Sequence, residues 1–477
     1  MCREVDVAII GAGTAGLSAL SQVKKRTDSF VIINDGPYGT TCARVGCMPS
    51  KALIEAADAY HGRHLYGEMG LRLVGSVEVD GKAVMERVRR LRDMFVARVK
   101  RSTDGLDEGK NIPGRAKILA PDLIEVNGDR IRTKRLIIAT GSTPVVPGPW
   151  RELGDRLLTS DSLFEMDDLP ESLAVVGLGA IGLEIAQAMS RLGVEVTGFD
   201  ALERIGGITD PEVAETAAEI IGSEFPIHTG AKVDLAGNGA EGGVKVSWNG
   251  NSATVDKVLA SVGRKPNIQG LGLENLGVEL DDNGLPAFDE HTLQVGDLPV
   301  FLPGDVNARA PILHEAADDG HIAGYNAMQK DGEVHCFHRR TPIGIVFSHP
   351  NIAYAGLKRD QLNEDDAVTV GQDYESQGRA MTAGVNHGLL RVYASKSTAR
   401  LLGAEMVVPS GEHVAHLLSW AIQRELTVFQ ILELPFYHPV IEEGVRSAVR
   451  RLAGRIEKKE PAPEVPLCRE LPDRSLE

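Results

Sequence analysis

Two copies of one glycine-rich pattern, placed far apart in the chain, constrain its fold more than any other feature. Each copy follows an apolar segment, opens a helical one, and is followed by a second apolar segment, at residues 30–33 and 194–199. Strand, glycine turn, helix and strand in this order form a βαβ unit whose glycines let the backbone approach a pyrophosphate. The repetition predicts an α/β fold with two Rossmann-like dinucleotide-binding domains. The glycines that define the loops are Gly11, Gly13, Gly16, Gly177, Gly179 and Gly182.

The C-terminal part of the chain has a different pattern. From about residue 338 onward, residues 343–347 and 388–393 are typical of strands, and residues 413–424 and 445–452 are typical of helices. This mixture, without a glycine-rich nucleotide loop, predicts an α+β domain. Residues 459–477 are rich in proline and charge, so we expect a loose tail there.

Composition argues against several classes of function. The chain has 67 acidic and 51 basic residues, a net charge of −16, so we do not expect general nucleic-acid affinity. No apolar run approaches the roughly 18 residues that a membrane-spanning helix needs. The N-terminus lacks the basic start and small-residue cleavage site of a signal peptide. We therefore expect a cytoplasmic protein that does not enter a membrane.

The residue that closes the second strand of each βαβ unit bears on cofactor choice. An acid at this position accepts hydrogen bonds from a ribose 2′-hydroxyl and repels a 2′-phosphate. Asp200 lies 23 residues after Gly177, which favours NAD over NADP. The same step from Gly11 reaches Asn34, with Asp35 next, and the sequence leaves open which of these two contacts a ribose.

Cys42 and Cys47 are the only cysteines close together in the sequence, since Cys2, Cys336 and Cys468 are scattered. A close pair in a cytosolic protein is more often catalytic or metal-binding than structural. Pro49 suits the first turn of a helix, and a thiol near a helix N-terminus has a lowered pKa. Together with two dinucleotide sites, the pair indicates electron transfer between nucleotides and a disulfide.

A metal site is the alternative interpretation of the cysteine pair. Zinc would need further ligands, and His61 and His64 have the spacing H-x-x-H. No second cysteine pair accompanies them, so we interpret both histidines as surface residues and predict no metal. Near the other end of the chain, His438 and Glu443 form a candidate proton-transfer pair, an interpretation that the cysteine pair favours.

The motifs around these residues resemble those of the pyridine nucleotide–disulfide oxidoreductases, and within that family those of the dihydrolipoyl dehydrogenases. The resemblance extends over residues 4–455. It implies FAD in the first nucleotide site, NAD in the second, and a C-terminal domain that forms a homodimer. The segments that carry it are Gly39–Lys51, Ala139–Gly141, Gly177–Glu184, Gly304–Asp305 and His438–Glu443.

This resemblance assigns roles to the candidate redox residues. Cys47 resembles the flavin-facing thiol that forms a charge-transfer complex, and Cys42 resembles the interchange thiol that reacts with substrate. Lys51 resembles the lysine near the flavin, and Glu184 resembles its ion-pair partner. His438 resembles the general base that reaches the cysteines of the other subunit, with Glu443 orienting it.

The resemblance also assigns cofactor contacts. Asp305 resembles the aspartate that bonds the FAD ribityl chain. Asn34 departs from the family, which usually has glutamate there. The remaining residues expected to contact a cofactor are Thr41, Ala139, Thr140, Gly141, Gly263, Arg264 and Gly304.

The expected domain organisation combines the repeat with this resemblance. The FAD-binding domain has a first part at residues 1–148 and a second, central part at 267–337. The NAD-binding domain is expected at 149–266, the dimerisation domain at 338–458 and the tail at 459–477.

The function implied is an NAD-dependent dihydrolipoyl dehydrogenase activity, in which a dihydrolipoyl group reduces a Cys42–Cys47 disulfide and electrons pass through FAD to NAD⁺. The expected partner is the lipoyl domain of a 2-oxo acid dehydrogenase or glycine cleavage complex. A related NADH-dependent disulfide reductase, a mercuric reductase and a non-catalytic flavoprotein scaffold are the alternatives. Asp200 disfavours NADPH-dependent relatives, and His438 with Glu443 disfavours the mercuric type. A scaffold would predict a lost cysteine, lysine or histidine, and none is lost.

Overall fold

The computed structural model describes residues 2–237, 242–456 and 464–465. Nearly all of the expected tail, including Cys468, lies outside these residues.

The N-terminal part follows the βαβ pattern that the sequence predicts. Its elements are β1 Arg3–Ile10, α1 Thr14–Val23, β2 Phe30–Asn34, α2 Thr41–Val45, α3 Cys47–His61, α4 Gly81–Asp104, β3 Asn111–Pro113, β4 Ala116–Ala120, β5 Leu123–Val126, β6 Asp129–Ile138 and β7 Ser142–Pro144. One sheet has the order β3-β2-β1-β6-β5-β4. The pairs among β3, β2, β1 and β6 are parallel, and β4 and β5 add an antiparallel edge.

The second glycine loop lies in a separate parallel sheet. The elements of this part are β8 Leu157–Leu158, α5 Ser160–Leu163, β9 Ser172–Val176, α6 Ala180–Arg191, β10 Glu195–Phe199, α7 Pro211–Gly222, β11 Ile227–His228, β12 Val233–Gly237, β13 Val244–Trp248, β14 Asn251–Val255, β15 Lys257–Ala260 and β16 Arg264–Pro266. The parallel sheet has the order β11-β10-β9-β15-β8, and β12, β13 and β14 form an antiparallel sheet beside it. β16 pairs with β7 and so connects this part to the first.

The first strand of the C-terminal part joins the sheet of the N-terminal part. Its elements are β17 Val300–Phe301, α8 Leu313–Ala327, β18 Ile343–Val346, β19 Asn351–Gly356, β20 Ala367–Asp373, α9 Gly378–Thr382, β21 Leu389–Ser395, β22 Leu401–Val408, α10 Gly411–Gln423, α11 Val428–Leu432 and α12 Glu443–Arg455. β17 pairs in parallel with β6 of the first sheet. The last strands form an antiparallel sheet with the order β18-β19-β22-β21-β20, covered by α10 and α12.

Local chemistry explains why the elements begin where they do. β1 is buried on both faces, with Val7 fully buried on one face and Ala8 on the other, as expected of a parallel strand inside a sheet. α7 begins after Asp210, whose side chain accepts hydrogen bonds from the next backbone N–H groups, and Pro211 occupies its first turn. The apolar run and the capping residues involve only near neighbours in the chain, so they can be recognised in the sequence.

One hydrophobic core joins the three parts next to Lys51 and Glu184. It contains Leu53 of α3, Leu183 of α6 and Val346 of β18. The fold class predicted from the sequence is therefore confirmed. The domain boundaries given above remain predictions. Among the described residues, no helix is both long and apolar enough to span a bilayer.

Candidate active site

The first glycine loop has two positions that the protein itself requires to be glycine. Gly11 has φ of +109°, and a Cβ there would lie 2.1 Å from the Ala139 carbonyl oxygen. A Cβ on Gly16 would lie 1.9 Å from the Gly11 carbonyl oxygen. In contrast, a Cβ on Gly13 would meet nothing within 4 Å. The first and third glycines are needed for packing, and the second leaves an open cradle at the start of α1, which suits a phosphate.

The second loop repeats this division. Cβ atoms on Gly177 and Gly182 would overlap backbone oxygens at 2.4 and 1.8 Å, whereas one on Gly179 would meet nothing within 4 Å. The residues present in both loops therefore fit a dinucleotide.

Asn34 and Asp200 occupy equivalent places beside the two loops. The Asn34 Oδ1 atom accepts a hydrogen bond from the Ala12 N–H at 3.0 Å, and the Asp200 Oδ2 atom accepts one from the Leu178 N–H at 2.7 Å. Asp35 instead faces Arg115, at 3.8 Å. Asn34 thus bonds the first loop, whereas Asp35 lies near Arg115; which of the two contacts a ribose stays a prediction.

A cavity of about 860 Å³ extends from the first loop. Its lining includes Gly11, Asn34, Asp35 and Thr140. The Thr140 hydroxyl oxygen is buried and has no hydrogen-bond partner among the described residues. A buried hydroxyl without a partner is costly, so the cavity suits a ligand that bonds to it.

Asp305, Arg264 and Ser142 form a polar connection near this cavity. The Ser142 hydroxyl donates to Asp305 at 2.7 Å and accepts from the Arg264 Nε atom at 2.8 Å. Gly304 has φ of +81°, and a Cβ there would lie 2.8 Å from the Ala15 Cβ atom, so the turn packs tightly on α1. The sequence analysis missed Ser142, because only the tertiary structure shows that it bridges two predicted site residues.

The other predicted cofactor contacts are positioned by turns. Gly141 and Gly263 have positive φ angles of 71° and 105°. Their carbonyl oxygens accept hydrogen bonds from the Asn267 and Val145 N–H groups, both at 2.9 Å. Thr41 is the first residue of α2.

Cys42 lies in α2, and Cys47 is the first residue of α3. Both are free thiols in the structure. A hydrogen bond from the Cys42 thiol, together with the positive charge of Lys51, lowers the pKa of Cys47 to about 7 despite its partial burial. The interaction with Cys47 and burial raise the pKa of Cys42. Cys47 is therefore the thiol of the pair that ionises first.

Lys51 and Glu184 are brought together from two different parts of the chain. The Lys51 Nζ atom lies 2.7 and 2.8 Å from the two carboxylate oxygens of Glu184. The Glu184 side chain is nearly buried, at 7% exposure. The Phe347 ring lies against the ammonium group, with 4.3 Å between Nζ and the ring centroid. Sequence reasoning missed Phe347, because no local pattern marks an aromatic residue that contacts a lysine so distant in sequence.

His438 and Glu443 form the pair that their spacing suggested. The His438 Nδ1 atom lies 3.0 and 3.1 Å from the Glu443 carboxylate oxygens, and Glu443 is the first residue of α12. The hydrogen bond with His438 holds the pKa of Glu443 below its usual value. The imidazole is 80% exposed. Within the described part of the chain, no hydrogen bond or ion pair joins His438 to Cys42 or Cys47.

His61 and His64 lie together at the end of α3, with 5.0 Å between their ring centroids. Burial lowers the pKa of His61. Among the described residues, no three histidine, cysteine, aspartate or glutamate side chains are placed so that they could hold a metal ion together.

Comparison with known proteins agrees with this geometry. The family model described as pyridine nucleotide-disulphide oxidoreductase matches residues 5–320, and the model of the dimerisation domain of this family matches residues 343–449. Dihydrolipoyl dehydrogenase of Thermus scotoductus is 30% identical over 94% of this chain and 98% of its own length. Dihydrolipoyl dehydrogenase of Chlamydia pneumoniae is 29% identical over 93% of this chain and 96% of its own length.

Solved structures share the fold. LpdA from Mycobacterium tuberculosis has a TM-score of 0.80 at 24% identity and covers 94% of this chain and 100% of its own. The HOCl-induced flavoprotein disulfide reductase RclA from Escherichia coli, as a Cu(II) complex, has a TM-score of 0.81 at 22% identity and covers 94% of this chain and 99% of its own.

Proposed function

The chain belongs to the pyridine nucleotide-disulphide oxidoreductase family, and from that premise we propose that it is an NAD-dependent dihydrolipoyl dehydrogenase. The family uses FAD with a pyridine nucleotide, and its dihydrolipoyl dehydrogenase members use NAD, so the cofactor prediction of FAD and NAD is confirmed. The chain is an oxidoreductase. What we propose is the identity of its substrate. The similarity to dihydrolipoyl dehydrogenases over nearly the whole chain supports it.

The first nucleotide site suits FAD. It would be held by the open cradle at Gly13, the cavity beside Asn34 and the Thr140 hydroxyl, which has no hydrogen-bond partner in the described part of the chain. Asp305 and Lys51 complete the set that the family resemblance assigns. Bound there, FAD would supply a two-electron carrier between the cysteine pair and the nicotinamide.

The cysteine pair would exchange a disulfide with the substrate. A substrate thiolate attacks the Cys42 Sγ atom of the oxidised pair, a substrate–Cys42 bond forms, and Cys47 leaves as a thiolate. The second substrate sulfur then attacks the mixed disulfide, closing the substrate disulfide and leaving Cys42 reduced. The lowered pKa of Cys47 supports this order, because the thiol with the lower pKa is the better leaving group. The observation that carries the proposal is geometric: Cys47 of the cysteine pair lies at the start of α3, one turn from Lys51, which pairs with Glu184 of the second nucleotide-binding part.

His438 would accept the substrate thiol's proton, since only the thiolate attacks. Glu443 would hold the imidazole with Nδ1 protonated, leaving Nε2 free to act as the base. His438 is largely exposed, and among the described residues it has no hydrogen bond or ion pair with Cys42 or Cys47, which supports the expectation that it serves the partner subunit of a homodimer.

Three further features of the proposal concern specificity and organisation. Asp200 would favour NAD over NADP, because its carboxylate lies beside the second loop. We keep the domain boundaries predicted above. The reduced substrate would be carried by the lipoyl domain of a 2-oxo acid dehydrogenase or glycine cleavage complex.

A turnover assay with a matched pair of variants tests the activity. Wild-type holoenzyme should reduce NAD⁺ with dihydrolipoamide. The His438→Gln variant should lose about two to four orders of magnitude of that rate, and Glu443→Gln should lose less because the base remains. NADH should still reduce the bound flavin in both. Turnover of another disulfide, or of mercuric ion, without turnover of dihydrolipoamide would instead assign one of the alternative activities.

A further inference from the structure

The segment Phe347-Ser348-His349, called here the 347–349 segment, follows β18 and lies against one face of α6. The Phe347 N–H donates to the Glu184 Oε1 atom at 3.1 Å. The His349 N–H donates to the Gln187 Oε1 atom at 2.8 Å, and the His349 carbonyl oxygen accepts from the Gln187 Nε2 atom, also at 2.8 Å. The backbone of this segment is thus held by two side chains of α6.

Glu184, Gln187 and Arg191 occur three and four residues apart, so they lie on the same face of α6. Gln187 is buried, at 3% exposure. A buried amide is stable only when its hydrogen bonds are made. Gln187 bonds both polar groups of the His349 backbone, and its Nε2 atom also donates to the Glu224 carboxylate at 2.8 Å. The side chain of Gln187 therefore fixes the segment relative to Glu184, one helical turn away.

Arg191 anchors the other end of this contact. It donates to the His349 carbonyl oxygen at 3.2 Å and pairs with Asp58 of α3 at 2.6 Å and with Glu224 at 2.7 Å. The Arg191 side chain is 7% exposed, so these charges are little screened. The segment is consequently held between α6 and the helix that carries Cys47.

The Phe347 side chain completes the contact with the redox residues. Its ring lies 4.3 Å from the Lys51 Nζ atom, which already contacts Glu184 and, at 3.3 Å, the Ser50 hydroxyl. An aromatic face attracts an ammonium group and excludes water from one side of it. The ring and the backbone N–H of one residue therefore act on both members of the Lys51–Glu184 pair.

We propose that Phe347 and Gln187 are positioning residues: the 347–349 segment of the C-terminal part holds the Lys51–Glu184 pair in place and thereby sets the reactivity of the Cys47 thiol. The charged and titratable groups that act on Cys47 are Cys42, Lys51 and Glu184. Lys51 favours the Cys47 thiolate and Glu184 opposes it, so the balance depends on where the segment holds them. This inference rests on the redox role of the cysteine pair in the proposed function, but not on the identity of the substrate.

Alkylation of reduced holoenzyme by iodoacetamide across a range of pH values, with Cys47 followed in its own peptide by mass spectrometry, tests this proposal. Phe347→Leu keeps an apolar side chain and the backbone N–H but removes the ring. We expect the midpoint for Cys47 to rise by about half a pH unit, which is about threefold less thiolate near neutrality. Phe347→Tyr keeps the ring and should keep the wild-type midpoint. Gln187→Leu removes the hydrogen bonds to the His349 backbone and should also raise the alkylation midpoint of Cys47.

A double-mutant cycle separates positioning from a general loss of packing. In a Lys51→Gln background, Phe347→Leu should produce no further shift in the Cys47 midpoint, because the cation that the ring contacts is gone. Equal shifts with and without Lys51, or an unchanged midpoint in a Phe347→Leu protein with native thermal unfolding, would overturn the proposal. The midpoint is measured without any disulfide substrate, so failure to turn over dihydrolipoamide would count against the proposed activity alone.

Discussion

Cys47 shows how much of the candidate chemistry depends on single hydrogen bonds. Its thiolate is stabilised first by the Cys42 thiol and then by the charge of Lys51. Because the pKa of Cys47 in the fold lies below its ordinary value of 9.0, the reduced protein gains stability as pH rises from about 7 toward 9 and loses it as pH falls through 7.

This hydrogen bond predicts a difference between two substitutions of Cys42. Cys42→Ala removes the donor, so the alkylation midpoint of Cys47 should rise clearly above 7. Cys42→Ser retains a hydroxyl donor, and its midpoint should stay nearer the wild-type value. Both midpoints are measured by alkylating each variant over a range of pH values and following the Cys47 peptide by mass spectrometry. Identical midpoints in the two variants would show that the hydrogen bond does not control the Cys47 thiol.

Asp200 makes a second prediction at this scale. Its carboxylate accepts hydrogen bonds from the Leu178 and Leu202 N–H groups at 2.7 and 2.8 Å, which fixes it beside the second loop. A 2′-phosphate would face this negative charge. We expect kcat/KM for NAD(H) to exceed that for NADP(H) by at least about tenfold, or about 1.4 kcal/mol. Asp200→Ala should reduce the difference in kcat/KM between NAD(H) and NADP(H). Equal use of both cofactors by the wild type would refute the role of Asp200 in cofactor choice.

At the scale of elements, the glycines in each strand-to-helix turn have two different roles: some are required by the fold, and others leave room for a ligand. Gly11 and Gly177 adopt positive φ angles and approach backbone oxygens, so they are part of the fold itself. Gly13 and Gly179 have open space above them and helix N-termini beside them, so their lack of a side chain matters only to a ligand.

The difference predicts opposite outcomes for two neighbouring substitutions. Gly13→Ala should fold normally and bind FAD at least about tenfold more weakly, since a methyl group enters the cradle. Gly11→Ala should destabilise the protein itself, by about 1–3 kcal/mol from backbone strain alone. Flavin content and thermal unfolding measure the two effects. Gly179→Ala is the matched control, with normal FAD content and a raised KM for NADH; normal FAD binding by Gly13→Ala would exclude the proposed cradle.

At the scale of the whole molecule, buried polar groups join the second nucleotide-binding part to the C-terminal sheet. Glu405 of β22 is fully buried and accepts hydrogen bonds from the Thr209, Asp210 and Arg359 N–H groups, at 2.6, 3.1 and 2.8 Å. Asp210 in turn caps the N-terminus of α7. The orientation of the second nucleotide site is therefore tied to the domain that carries His438.

The position of His438 predicts complementation between subunits. Homodimers of His438→Gln or of Cys42→Ser should be nearly inactive with dihydrolipoamide. Mixed dimers of the two chains should regain one intact site and approach half of wild-type activity, because the base of one subunit would serve the cysteines of the other. Differentially tagged chains allow the mixed dimers to be purified and assayed. No recovery in a verified mixed dimer would place the whole site within one chain.

The sequence by itself determined the two βαβ units, the C-terminal α+β part and the cysteine pair. Each of these depends on apolar periodicity, turn glycines or residue spacing within a short stretch, such as Gly11–Gly16 or Cys42–Cys47. Likewise, the pairing of His438 with Glu443 is local, since only five residues separate them. Patterns of this kind depend only on residues that are close in the sequence, so they can be predicted without the structure.

Only the tertiary structure decided which distant groups meet. It gave Asn34, rather than Asp35, the hydrogen bond to the first loop. The resemblance implied the Lys51–Glu184 pair, but the packing of α3 on α6 creates it and adds Phe347 from a third part of the chain. The physical reason is that the Lys51–Glu184 ion pair and the contact of the Phe347 ring with Lys51 join residues more than a hundred positions apart, which no local pattern encodes.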